Sequence, residues 1–152
     1  MRLDRQWIAA HIPHAGRMCL LDSVLSWDAM RIECRASSHR DADNPLRAHG
    51  RLGCACGIEY AAQAMAVHSA LAPTAGASGA GYLVGLRSAV LHVARLDDIE
   101  ADLVVSAARV AGDTAAFIYD FAVRDSQRSY LNGRATVLLD PSLSRATGRL
   151  AL

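Results

Sequence analysis

The chain has 152 residues, 52% of them hydrophobic, which suits one domain with a sizeable core and argues against a second domain. Its formal net charge of +1 argues against nucleic acid or an anionic membrane as a general partner. Lys is absent and the 16 Arg residues are scattered, so we expect no concentrated phosphate-binding surface.

The first part of the chain is predicted to hold two strands and an irregular segment. The strands cover Met18–Trp27 and Arg31–Ser37, and residues 28–30 form the turn between them. The polar stretch Ser38–Gly53 follows. We expect this stretch to lead into the next element without regular structure of its own.

A helix of about four turns is predicted from Gly57 to Leu71. The segment is rich in Ala, Met and Gln, which favour helices, and Pro73 follows it. Glu59 and Gln63 are four residues apart and so share one face of the helix. A carboxylate among apolar residues is costly to desolvate unless it is paired, although a solvated position in the first turn would also suit the helix dipole.

The rest of the chain is predicted to form a loop and four strands. The loop covers residues 74–81, and its glycines do not match a phosphate-binding fingerprint, so we expect a flexible connector. The strands show partial alternation and are bounded by Asp, Gly or Asn; they are Tyr82–Ala94, Ala101–Ala111, Thr114–Arg124 and Ser129–Leu139. Short connections make them antiparallel.

One long apolar helix and about six antiparallel strands favour an α+β fold in which a curved sheet wraps around the helix. We expect residues 1–152 to form this single domain. Such a sheet has edges that need to be covered, so we also expect a dimer.

The N-terminus and the cysteines indicate a reducing compartment. Charged residues occupy the positions where a signal peptide needs its apolar core, and no run approaches the length of a membrane span, so we expect a cytosolic protein. The C-x-C pair Cys54 and Cys56, with His49 nearby, lacks the second close ligand pair of a metal site. We therefore predict buried free thiols for all four cysteines, which are Cys19, Cys34, Cys54 and Cys56.

Two motifs carry a resemblance to a known family. The early segment Ile12–Val24 contains Pro-His and then Leu-Leu-Asp-Ser-Val, and the helix carries Glu59 and Gln63. In this order, and ahead of a series of strands, they resemble the hotdog-fold 3-hydroxyacyl-[acyl-carrier-protein] dehydratases, most closely the aryl-polyene-type branch. The resemblance implies the hotdog fold and the removal of water from 3-hydroxyacyl thioesters in fatty-acid or polyene-type synthesis.

The resemblance also implies roles for individual residues. The reaction needs a base for the proton beside the thioester carbonyl, an acid for the departing hydroxyl and donors for the carbonyl oxygen. Glu59 is expected to be the acid, with its pKa raised by desolvation between subunits, and His49 is the candidate base. The N–H groups of Cys54 and Ala55 are expected to face the thioester carbonyl, and Gln63 to help bind substrate.

The match to the family is weakest around His49. The segment Ala48-His49-Gly50-Arg51 shares only the histidine with the family's His-Phe-Pro-Gly element, and the segment between His49 and Glu59 is shorter than in the family. His14 is expected at a hydrogen-bonded turn, and His68 falls on the face of the helix opposite Glu59. His39 lies in the polar segment and could reach the site.

Three functions stay open: a dehydratase, a catalytically weak hotdog subunit that stabilises an active dehydratase partner, and an acyl thioesterase. The implied partners are an acyl carrier protein, whose phosphopantetheine-linked substrate would enter a tunnel between subunits, and another hotdog subunit in a homodimer or heterodimer. Arg87 or Arg95 could steer the acidic carrier, although solvated strand-edge positions are the simpler interpretation. No metal, nucleotide or other tightly held cofactor is implied.

Overall fold

The computed structural model describes residues 1–72, 81–113 and 115–139. Two helices and six strands lie in this part of the chain, together with short 3-10 turns at 16–18, 38–40 and 54–56. The helices are α1 (Arg5–His11) and α2 (Gly57–Leu71), and the strands are β1 (Ser23–Trp27), β2 (Arg31–Ala36), β3 (Gly81–Leu91), β4 (Leu103–Gly112), β5 (Ala116–Arg124) and β6 (Ser129–Leu139).

The six strands form one antiparallel sheet in the order β1-β2-β4-β5-β6-β3. The register aligns a row of buried side chains across its middle, in which Cys34 pairs with Val105, Val105 with Val123, and Val123 with Leu131. The strands β1 and β3 are the two edges of this sheet.

One face of the sheet and the helix α2 form the core. Alternate residues of β4 and β5 are buried, as in a sheet with one covered face. The helix packs against β2, β4 and β5, and most of its residues are buried, including Tyr60 and Met65. Since neighbouring elements cover α2 on most sides, most of its positions are occupied by apolar residues.

The predicted helix is confirmed from Gly57 to Leu71, and the predicted antiparallel strands are confirmed with shifted ends. The largest shift is at the first strand, predicted from Met18 but observed from Ser23. Gln63 of α2 bonds the carbonyl of Met18 and the N–H of Leu20, so these main-chain groups are engaged by the helix instead of by a neighbouring strand. Residues 74–80 of the predicted loop and Thr114 lie outside the described residues.

The start of α2 lies against β6 with no space for a side chain. A Cβ at Gly57 would overlap Cδ2 of Leu131, a fully buried residue. Replacing Gly57 by Ala is therefore expected to destabilise the fold by about 1–3 kcal/mol, since crowding a packed core outweighs the better helix propensity of Ala. Chemical denaturation would measure this loss. Gly53→Ala is the matched control, because nothing lies within 4 Å of a Cβ there, and its free energy of unfolding should stay nearly unchanged.

Candidate functional site

Glu59 lies in the first turn of α2 and forms a pair with His14 of the early segment. The Nε2 atom of His14 is 2.8 Å from Oε1 of Glu59, and the two side chains are 14% and 32% exposed. A half-buried carboxylate at a helix N-terminus gains from both the imidazole and the helix dipole. Among the described residues no hydrogen bond reaches the other oxygen, Oε2, so this oxygen is free to meet a ligand.

Gln63 links this pair to the early segment from one turn further along α2. Its Nε2 donates to Oε1 of Glu59 at 3.2 Å and to the carbonyl of Met18 at 2.6 Å, while its Oε1 accepts the N–H of Leu20 at 2.9 Å. The shared helix face predicted for Glu59 and Gln63 is thus observed. Gln63 itself is fully buried and its amide is engaged on both sides, so within this chain it supports Glu59 and does not offer a surface for the predicted contact with substrate.

A buried polar network fixes the early segment on its other side. The Oγ of Ser38 donates to the carbonyl of Leu20 at 2.8 Å and lies 2.7 Å from Oη of Tyr60, which also accepts from Asn44. Arg5 and Ser37 both bond the carboxylate of Asp22. The main chain that carries His14 is therefore tied to α2 and to the start of the polar segment.

In the single chain the pKa of Glu59 is lowered, whereas the sequence-based prediction of a raised pKa concerns a carboxyl half-buried between two subunits. Desolvation is the largest single influence and does raise it, but the hydrogen bonds from His14 and Gln63 and the positive charge of a protonated His14 together outweigh it. Within one chain, Glu59 is therefore a carboxylate at neutral pH.

The histidine beside Glu59 is His14, which the sequence had favoured for a structural turn. His49, the candidate base, lies at the tip of an exposed turn with a left-handed φ of 53°, and no hydrogen bond or ion pair joins it to Glu59 in the described part of the chain. The sequence signal for His14 was the Pro13-His14 pair in the motif that resembles the family. That motif does not show how far His14 lies from the helix α2, so its contact with Glu59 could not be predicted.

The two predicted N–H donors at the start of the helix differ in whether they already have an acceptor within the chain. The N–H of Cys54 donates to the carbonyl of Ala94 at 3.1 Å, where Gly53 and Arg95 form an isolated bridge, so this donor is already used within the chain. Ala55 is exposed, and within the described residues its N–H has no acceptor. Ala55 is therefore the member of the predicted pair that can still serve an incoming carbonyl.

Two other histidines are buried away from Glu59. The Nε2 of His68 is 2.8 Å from the carbonyl of Asp28, and its Nδ1 is 2.9 Å from Oη of Tyr119, which also accepts from Arg109. The carbonyl can only accept, so Nε2 carries the proton and the hydroxyl of Tyr119 donates to Nδ1. Burial lowers the pKa of His68, and burial likewise lowers the pKa of His39.

These lowered pKa values make the fold less stable in mild acid. A histidine whose folded pKa is depressed contributes stability above its unfolded pKa of about 6.5, and this stability is lost as the pH falls from there through the folded pKa. The melting temperature is thus expected to fall between about pH 7 and about pH 5, before the carboxylates titrate. Thermal unfolding across this range would measure it. His68→Gln should make the fall shallower, and an equally steep fall in that variant would contradict this assignment.

In the described ranges, no group of three or more His, Cys, Asp or Glu side chains is arranged to hold a metal ion. The four cysteines are free thiols, three of them buried and Cys56 partly buried. No helix in the described part of the chain is long and apolar enough to cross a membrane.

The architecture defines the fold class of the protein. A six-stranded antiparallel sheet around one long helix is the hotdog fold. Similar solved structures include the dehydratase heterocomplex ApeI:P from Xenorhabdus doucetiae, at 19% identity over 92% of this chain and 95% of that chain with a TM-score of 0.78. Zebra fish thioesterase superfamily member 2 is similar at 17% identity over 90% and 95%, with a TM-score of 0.63.

The sequence itself identifies the family. Residues 6–147 match the ApeP-like family, described as ApeP dehydratase, so this chain belongs to the ApeP-like dehydratases. No curated protein matches the chain. The family resemblance carried by the early Pro-His segment and the Glu59/Gln63 helix is confirmed.

Proposed function

We propose that the chain removes water from 3-hydroxyacyl thioesters carried on an acyl carrier protein, with Glu59 at the centre of the site. The observation that carries this proposal is the half-buried carboxylate of Glu59, held through one oxygen by His14 and Gln63 while the other oxygen is free of protein partners in the described residues. Family membership supports the reaction class.

The residues around Glu59 suit the chemistry of this elimination. A proton leaves C2 of the acyl chain, a double bond forms between C2 and C3, and the hydroxyl departs from C3 as water after it is protonated. Glu59 and a histidine share the two proton transfers. The free N–H of Ala55, two residues before α2, is the donor proposed for the thioester carbonyl as negative charge builds on its oxygen.

His49 stays a candidate for the histidine of this reaction through a second subunit. An exposed turn can reach a site that is completed by another chain, whereas His14 is held beside Glu59 of its own chain. We therefore propose that His14 orients Glu59 and that His49 acts across the subunit interface.

The edge strand β3 is the surface proposed for the second hotdog subunit. Leu86 and Leu91 pair in register with the buried Ala135 and Leu131, so they point to the same face as the core, yet they are 42% and 45% exposed. Apolar side chains exposed on an edge strand favour pairing with another chain. The similar ApeI:P structure is a heterocomplex, which supports a heterodimer, and a homodimer would cover the same surface.

The two arginines suggested for carrier docking differ in their surroundings. Arg95 forms ion pairs with Asp97 and Asp98, which offset its charge. Arg87 is exposed on β3 and has no ion-pair partner among the described residues. Arg87 is thus the better candidate for steering an acidic carrier protein. The cytosolic location of the protein stays a prediction.

The experiment follows the mass of the carrier-bound acyl group. Purified protein, alone and with a hotdog partner, is mixed with 3-hydroxyacyl carrier protein, and loss of one water from the acyl group is the expected result. Release of the free acid with return of the bare carrier would identify a thioesterase and contradict the proposal. Turnover that needs a partner but not Glu59 would mean that this chain is a supporting subunit.

A further inference from the structure

We propose that Gln63 is a positioning residue that holds Glu59 as a carboxylate with Oε2 turned towards substrate, so that Glu59 begins the reaction as the base. This inference rests on the proposed function and deepens it. It differs from the family expectation for this chain, in which the helix glutamate is the acid and Gln63 contacts substrate.

The orientation of the Gln63 amide is fixed by the main chain of the early segment. The N–H of Leu20 can only donate and the carbonyl of Met18 can only accept, so Oε1 must face Leu20 and Nε2 must face Met18, at 2.9 and 2.6 Å. If the amide were flipped, Nε2 would face the N–H of Leu20, a second donor, and Oε1 would face the carbonyl of Met18, a second acceptor. Because Nε2 also lies 3.2 Å from Glu59, the early segment determines that Glu59 receives a donor.

Two donors therefore converge on the same oxygen of Glu59. Nε2 of His14 lies 2.8 Å away and Nε2 of Gln63 lies 3.2 Å away, and both approach Oε1. Donors at this position stabilise the ionised form, and the first turn of α2 adds a favourable dipole. Among the described residues His14 is the titratable group that faces Glu59, and its Nδ1 is buried without a partner, so His14 supports Glu59 through Nε2 and has no exposed nitrogen for substrate.

If Glu59 starts as a carboxylate, removal of the C2 proton comes first and protonation of the departing hydroxyl follows. The carboxylate accepts the C2 proton on Oε2, and the electrons of the broken C–H bond form the C2–C3 double bond as the C3–O bond breaks. Glu59, now neutral, passes this proton through the histidine of the site to the departing hydroxyl, which releases water and restores the carboxylate. No further reactant is needed.

The test is a direct titration of Glu59. The chain has three Glu residues, so protein labelled with ¹³C at the Glu carboxyl gives three signals, and the signal that Glu59→Gln removes belongs to Glu59. Gln63→Met removes the donor at similar volume, and Gln63→Glu keeps an acceptor for Leu20 but puts a second carboxylate beside Glu59. We expect the titration midpoint of Glu59 to move to higher pH in both variants, with the larger shift in Gln63→Glu.

Ser38→Ala is the matched control, because Ser38 bonds the carbonyl of Leu20 in the same segment without contacting Glu59. We expect its stability to fall while the Glu59 midpoint stays in place. A midpoint that stays in place in both Gln63 variants, or that moves equally in Ser38→Ala, would overturn the proposal.

The acid limb of the pH–rate profile provides the functional measurement. It should move to higher pH in Gln63→Met along with the titration midpoint, and a limb that stays in place would contradict the role of Glu59 as the base. The titration needs no turnover, so absence of dehydration by the wild-type protein would be a failure of the proposed function and would be recognised separately.

Discussion

Replacing Glu59 by Gln is expected to reduce the rate of dehydration by about 10²–10⁴-fold or more, since that is the usual contribution of a positioned acid–base group. The Gln side chain has nearly the same shape and can still accept the hydrogen bond from His14, but it cannot take up or release a proton at neutral pH. The measurement is the steady-state rate of enoyl thioester formation.

Glu100→Gln is the control for this substitution, because Glu100 is exposed and distant in sequence from the candidate site. Its rate should match that of the wild-type protein. Thermal unfolding of both variants should show that the fold is retained. Full activity of the Glu59→Gln protein would show that Glu59 takes no part in the reaction.

Changing Leu86 and Leu91 together to Glu is expected to abolish association with a second hotdog subunit. Leu86 and Leu91 are already more than half buried in the single chain, so each contributes less at the interface than the about 1.5–3 kcal/mol of a fully buried leucine, but a buried unpaired carboxylate costs more than the leucine contributed. The variant interface would lose two apolar contacts and would have to desolvate two unpaired carboxylates. Native mass spectrometry and size-exclusion chromatography would measure the shift from dimer to single chain.

The opposite edge of the sheet supplies the matched control for this pair. Leu25 and Met30 lie at the β1–β2 end and are 51% and 54% exposed, so they resemble Leu86 and Leu91 in character and exposure. Leu25→Glu with Met30→Glu should leave the dimer intact. Loss of the dimer in this control, with the β3 variant still dimeric, would show that the interface lies at the β1–β2 edge of the sheet.

The helix and the positions of the strands along the chain could be predicted because their signals are local. The run from Gly57 to Leu71 combines strong helix formers with a following proline, and the strands alternate between buried and exposed positions. The start of β1 could not be predicted in the same way. There Gln63, more than forty positions away in the sequence, bonds the main chain at Met18 and Leu20, and tertiary contacts of this kind leave no local pattern.

The candidate site was predicted in its residue types more than in its contacts. Glu59 was a candidate because it is a carboxylate among apolar residues, and its shared face with Gln63 followed from helical spacing. The choice between His14 and His49 depended on how the early segment folds against α2, which sequence distance does not reveal. The two donors that lower the pKa of Glu59 in the single chain could not be predicted, since both depend on how the early segment folds against α2.

Deuterium uptake at C2 of the acyl chain shows whether Glu59 transfers the proton of that carbon. Dehydration is reversible, so in deuterium oxide each return step should place a solvent deuteron at C2 of the 3-hydroxyacyl group. The wild-type complex is expected to exchange this position, as read from the mass of the acyl chain, and Glu59→Gln is expected not to exchange it. Equal deuterium uptake by Glu59→Gln would contradict this role of Glu59 and assign the proton transfer to another group.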